Sequence, residues 1–149
     1  MGVRGGNGPF NIFAETEISV EFFHLDPMRV VWHGNYIDFF EVGRRSLLEK
    51  IGCDYYTMEK AGYAFPIVKI SAKFSGPLRF KDKARIKAIL MEYENCLKIK
   101  YEIRNAETGL ITTEGESTQM AININIMESC LASPAFLIEK VEALIGGKQ

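Results

Sequence analysis

Polar and apolar positions alternate strictly over 16–22, where Ile18, Val20 and Phe22 face one way and Glu17, Ser19 and Glu21 the other. A period of two is that of a strand with one buried face. Over 36–51 the period lengthens. Tyr36, Phe40, Gly43, Leu47 and Ile51 form a helical stripe, widened by Ile37, Phe39, Val42 and Leu48. Asp38, Glu41, Arg45 and Glu49 are left as a narrow polar side. A helix this apolar is largely buried. Asn35, with Asp38 three positions on, predicts its cap, and Gly52 its stop.

Four more strands follow. Val68, Ile70, Ala72 and Phe74 alternate with Lys69, Ser71 and Lys73. Ala84, Ile86, Ala88 and Leu90 alternate with Lys83, Arg85 and Lys87, and Leu97, Ile99, Tyr101 and Ile103 with Lys98, Lys100 and Glu102. Glu94-Asn95 predicts a tight hairpin between the last two, and Asn105 to Gly109 a looser one into a long strand from 110 to about 124. That strand carries Thr112, Thr113, Ser117, Thr118 and Gln119 on both faces, so part of it is expected to border a site. Ser133-Pro134 opens a terminal helix with Leu137, Val141 and Leu144 as its stripe and Gly146 as its stop. The order of strand, helix, four strands and helix is α+β: an antiparallel five-stranded sheet must wrap its apolar face around the central helix, because nothing else is long enough to cover it.

Composition narrows the class. At 149 residues and 47% hydrophobic content, one domain folds without disulfide or metal. Residues 1–14 have no apolar stretch of a secretory signal and are expected to be a flexible lead-in, with a single domain over 15–149. A net charge of −1 argues against a nucleic-acid binder. No apolar run is long enough for a membrane span. Cys53, Cys96 and Cys130 make no CxxC pair, and with two histidines they predict no metal site. They read as reduced thiols of a cytoplasmic protein.

One segment, from Phe22 to Tyr36, places an Asp and both histidines next to a helix start. Pro27 biases Asp26 to an extended backbone, so the carboxylate stays outside the helix. The helix start offers unpaired N–H groups and a positive dipole end, which favour an oxyanion. A carboxylate beside such a pocket is the minimum equipment for hydrolysing an ester or thioester. A capping Asp and a surface His have the same appearance in sequence.

Asp26, Val30-Val31, His33 and Asn35-Tyr36 resemble the signature of hot-dog-fold acyl-CoA thioesterases of the 4-hydroxybenzoyl-CoA thioesterase type, bacterial short-chain branch. Phe39-Phe40-Glu41-Val42-Gly43-Arg44, Gly62 to Pro66, and Phe74-Ser75-Gly76-Pro77-Leu78-Arg79-Phe80-Lys81-Asp82 extend the likeness over residues 16–145. The resemblance implies a hot-dog fold that hydrolyses thioesters of coenzyme A or acyl carrier protein, with no cofactor beyond the coenzyme of the substrate. It implies Asp26 as nucleophile or general base, a backbone N–H near His33 that polarises the carbonyl, and His33 as an auxiliary catalytic residue. Val30, Gly34, Tyr36, Phe74 and Arg79 are then expected at the substrate. Arg29 stands where the family has Gly, and is expected to reshape the pocket or to meet an acidic acyl or pantetheine phosphate group. Glu41 is read as a structural or subunit-contact residue, and His24 as a surface residue. Lys69, Lys73, Lys81 and Lys83 are read as a solvated face. The resemblance also implies a homodimer or tetramer joined at a sheet edge. A hot-dog dehydratase or hydratase and a non-catalytic acyl-binding dimer are the competing functions.

Overall fold

The computed structural model describes residues 6–147. Its main sheet has five antiparallel strands in the order β1 (Phe13–Ser19), β4 (Lys83–Glu92), β5 (Leu97–Asn105), β6 (Ile111–Gln119) and β3 (Ile67–Phe74). The long helix α1 (Asn35–Ile51) lies across one face, and α3 (Ala135–Gly147) follows the last strands. The predicted α+β order is therefore observed.

The packing of α1 rests on residue size at a few positions. Tyr101 on β5 sits in register between Ala88 on β4 and Gly115 on β6. Its two neighbours are small, so the Phe40 ring from α1 stacks flat on it, with centroids 4.5 Å apart and planes 11° apart. A Cβ on Gly115 would lie 2.4 Å from that ring, and one on Gly43 would lie 2.8 Å from Ile86. The helix reaches the sheet this closely because both positions lack a side chain. Burying Phe40 completely contributes about 1.5–3 kcal/mol.

On its other side α1 buries a charge. Arg44 pairs with Glu41, and its Nε donates to the Tyr55 hydroxyl at 2.7 Å. Tyr55 in turn donates to Glu41 at 3.3 Å. These bonds satisfy a guanidinium that would be costly to bury alone. Glu41 is thus engaged in holding Arg44, in keeping with its structural reading.

Several boundaries differ from expectation. The lead-in is shorter than 1–14: β1 begins at Phe13, and Ile12 is 1% exposed. Residues 1–5 of that lead-in lie outside the described residues. Phe22 leaves the strand for a short 3-10 turn (Phe22–His24) and is 73% exposed. The N-cap of α1 is Gly34, not Asn35. Asn35 instead donates from Nδ2 to the His24 carbonyl at 2.8 Å. Gly52 ends α1 at φ +87°, the left-handed geometry that glycine adopts without strain. A short helix α2 (Tyr55–Lys60) had no periodic signature, being only six residues; Asp54 caps it by accepting from the Thr57 amide at 2.8 Å. The strand expected over 110–124 is divided. β6 stops at Gln119, and β7 (Ile122–Asn123) joins β2 (Tyr63–Ala64) and β8 (Glu128–Ser129) in a small second sheet. α3 matches its stripe, with Leu137 and Val141 fully buried.

Candidate active site

The segment before α1 is a β-hairpin. Leu25 bridges Val31, the Asp26 amide donates to the Val30 carbonyl at 2.9 Å, and the Arg29 amide donates to the Asp26 carbonyl at 2.9 Å. This is a type I turn over Asp26–Arg29 whose last residue, Arg29, lies in the left-handed region, the geometry of a three-residue hairpin loop with a bulge. Pro27 supplies the fixed φ that the turn wants. The Asp26 Oδ1 atom accepts from the Met28 amide at 2.8 Å, which orients the carboxylate. Asp26 is held outside the helix, as expected.

Arg29 occupies the left-handed position at φ +66°. Glycine is unstrained there, whereas a residue with a Cβ loses roughly 1–2 kcal/mol. Arg29 therefore carries a backbone cost that a glycine at this position would not.

The hairpin is tied to the rest of the molecule on both arms. The Val31 amide donates to the Leu78 carbonyl at 2.8 Å, and the Trp32 amide to the His24 carbonyl at 2.9 Å. His24 is half-buried rather than a surface residue. Its Nδ1 accepts from the Glu21 amide at 2.9 Å, and its ring meets Phe39 edge-on at 5.1 Å. Through Nδ1 it anchors the loop.

At the start of α1 the amides of Asn35, Tyr36 and Ile37 donate to the carbonyls of Trp32, His33 and Gly34. Among the described residues, those of His33 and Gly34 donate to nothing. These two N–H groups are the open donors of the helix start. Trp32 lies over Gly34, where a Cβ would meet its ring at 2.3 Å. The space left by this glycine is taken by Trp32 and not by open solvent.

The expected site residues fall into two groups. Asp26, Arg29 and Arg79 line one pocket with Phe22, Leu25, Pro27 and Phe80, of about 530 Å³. His33, Tyr36 and Phe74 form an aromatic cluster, in which the Phe74 centroid is 6.1 Å from that of His33 and 5.5 Å from that of Tyr36. Tyr36 is the buried member of this cluster. Burial pushes its hydroxyl pKa up, against the opposing pull of Thr113, the Leu78 backbone and Thr112. Val30 is half-buried and serves through its carbonyl. Arg79 begins a turn in which its amide donates to Asp82 Oδ2 at 2.8 Å.

Phe22 and Phe80, whose rings meet edge-on at 5.9 Å, were not anticipated as pocket walls. Phe80 lies in the quoted motif, and Phe22 was hidden by its place in an alternating run. Two of the three thiols are shifted toward the protonated form. Burial pushes the Cys53 thiol up to about 12, with Lys140 pulling the other way, so it stays protonated at neutral pH. Burial, with Glu92, raises Cys96 as well.

A five-stranded antiparallel sheet curved around one long helix, with a carboxylate hairpin at the helix start, defines a hot-dog fold. Residues 20–138 match the Thioesterase-like superfamily, so the chain belongs to that family and its class of reaction is thioester hydrolysis. YneP of Bacillus subtilis, named as an acyl-CoA thioesterase, is 29% identical over 111 residues, which are 74% of this chain and 80% of that protein. The chloroplastic acyl-acyl carrier protein thioesterase ATL3 of Arabidopsis thaliana is 35% identical over 86 residues, 58% of this chain and 45% of ATL3. The crystal structure of DHNA-CoA thioesterase from Staphylococcus aureus superposes with a TM-score of 0.77 at 28% identity, over 92% of this chain and 95% of that one. No helix among the described residues is long and apolar enough to cross a membrane.

Proposed function

We propose that the chain hydrolyses acyl thioesters of coenzyme A, or of acyl carrier protein, with Asp26 as the reacting carboxylate. The observation that carries this reading is the hairpin. It fixes Asp26 opposite Val30, and from Val30 the chain travels at most about 10 Å to His33. The unbonded amides of His33 and Gly34 are therefore within a substrate's length of the carboxylate. Asp26 either attacks the thioester carbon, giving an anhydride that water then opens, or takes a proton from the water that attacks that carbon; in both routes the amides receive the developing oxyanion and the thiolate leaves. The exposed His33 ring orients the thioester or the water. These roles are those of the 4-hydroxybenzoyl-CoA thioesterase type, and no cofactor beyond the substrate's own coenzyme is called for. Reduced cysteines and coenzyme A thioesters both belong to the cytoplasm, which this reading assigns as the compartment.

The same reading makes the protein a homodimer, or a tetramer built from dimers. β3 is an edge strand, with unpaired backbone groups along one side. It also exposes Val68 by 56% and Phe74 by 49%. Pairing two β3 strands antiparallel would cover this edge. It would also bring the Phe65 end of one copy beside the Phe74 end of the other. At the Phe65 end lies an apolar groove of about 770 Å³, walled by Tyr55, Met58, Tyr63, Phe65 and Ile122.

The test is release of free thiol from a panel of acyl-CoAs, set against hydration of enoyl-CoAs. Thiol release without hydration supports the proposal. Hydration without thiol release would replace it with the dehydratase chemistry.

A further inference from the structure

We infer that the Asp26 pocket takes thioesters whose acyl chain ends in a carboxylate, and that Arg29 and Arg79 hold that carboxylate. The inference rests on the reading of Asp26 as the hydrolytic carboxylate and names the substrate class for it.

Two arginines and one carboxylate line the pocket, with Phe22, Leu25 and Phe80 as apolar walls. Among the described residues neither guanidinium forms an ion pair or a side-chain hydrogen bond. An unpaired guanidinium in a concave site presents a planar fork of donors, which matches a carboxylate in two parallel bonds. The hairpin does not need the Arg29 side chain. The bonds that close the turn and the narrow pair are all backbone, between Arg29 and Asp26 and between Asp26 and Val30. Yet Arg29 sits at φ +66°, where glycine would be unstrained. Strain borne by a side chain that the fold does not use points to a task at the pocket.

Size decides which anion is met. The phosphate that closes the pantetheine arm lies thirteen bonds from the thioester sulfur, roughly 15 Å when extended at about 1.2 Å per bond. A pocket of about 530 Å³ has the volume of a sphere about 10 Å across. The turn keeps the Cα atoms of Asp26 and Arg29 within about 7 Å. With the carbonyl at Asp26, the phosphate therefore falls outside the pocket. The far carboxylate of a six-carbon diacid lies only about 6 Å from the carbonyl by the same bond arithmetic, inside reach of both arginines. Its methylenes lie against Phe22 and Phe80.

The experiment compares adipyl-CoA with hexanoyl-CoA, which share chain length and coenzyme and differ at the acyl terminus. Initial rates of thiol release by the full chain are expected to give a kcat/KM at least about tenfold higher for adipyl-CoA, as a charge-assisted contact provides. Arg29→Gln keeps the same backbone strain. It is expected to erase most of that ratio by raising KM for adipyl-CoA, and Arg29→Lys to restore part of it. Equal kcat/KM for the two thioesters in the unmutated protein would overturn the inference. So would a parallel fall for both in Arg29→Gln, which would place Arg29 on the shared phosphate. In either case turnover that is lost in Asp26→Asn leaves the thioesterase reading standing. Absence of hydrolysis of both thioesters and of the wider acyl-CoA panel would overturn that reading and this inference together.

Discussion

Strands β5 and β3 carry the same alternation in sequence and meet opposite fates. In β5 the apolar positions Leu97, Ile99, Tyr101 and Ile103 are completely buried, between β4 and β6 and under α1. In β3, Val68, Ile70 and Phe74 all remain more than a third exposed. Alternation tells which side of a strand is apolar. It does not tell what covers that side. The place in the sheet decides, and β3 is at the edge, with no strand on its outer side.

The largest effect expected from this contrast is in β5. Ile103→Ala leaves a cavity that its neighbours cannot fill and should cost about 2–5 kcal/mol. For a domain of this size the melting temperature should fall by roughly 5–15 °C. A change within 1 °C would mean that β5 is not the centre of the core. In β3, Ile70→Asp should affect the monomer by no more than about 0.5 kcal/mol, as exposed substitutions do. By the dimer reading it should still abolish self-association at micromolar concentration, seen by sedimentation. A variant that sediments like the unmutated dimer would move the interface elsewhere. At the site, His33→Ala should slow hydrolysis about ten- to a hundredfold, because the backbone donors survive truncation of the ring. A complete loss with the fold intact would make His33 the main acid–base group. The smallest effect is at the hairpin. Arg29→Gly trades relief of left-handed strain against greater freedom of the unfolded chain, so stability should rise by about 1 kcal/mol or less. A clear fall in melting temperature would show that the Arg29 side chain supports the fold.

Most of the fold was legible in the sequence because its signals are local. The helical stripe from Tyr36 to Ile51, Gly52 as its stop and the alternation in β4 and β5 each follow from residues a few positions apart. What was missed depends on distant partners or on length. α2 is too short to show a period, and its capping Asp54 carries the only signal. The break after Gln119 follows from β7 pairing with β2, more than fifty residues away. At the site, Asp26 and its position outside the helix came from Pro27 and the resemblance. The hairpin has a local signal too, since Asp followed by Pro opens a type I turn, but the same pair equally favours plain extended backbone. The pocket shared by Asp26, Arg29 and Arg79 brings together residues fifty apart, which no local pattern joins.

Asp26→Asn is the most direct test of the role assigned to the Asp26 carboxylate. Asn is nearly the same size, and its side-chain oxygen can still accept from the Met28 amide, so the hairpin is preserved. It can neither attack a carbonyl nor take a proton. With the melting temperature unchanged, thiol release from acyl-CoA should fall by about 10² or more. Near-normal turnover in that variant would make the carboxylate a turn-forming residue only and would contradict the assignment.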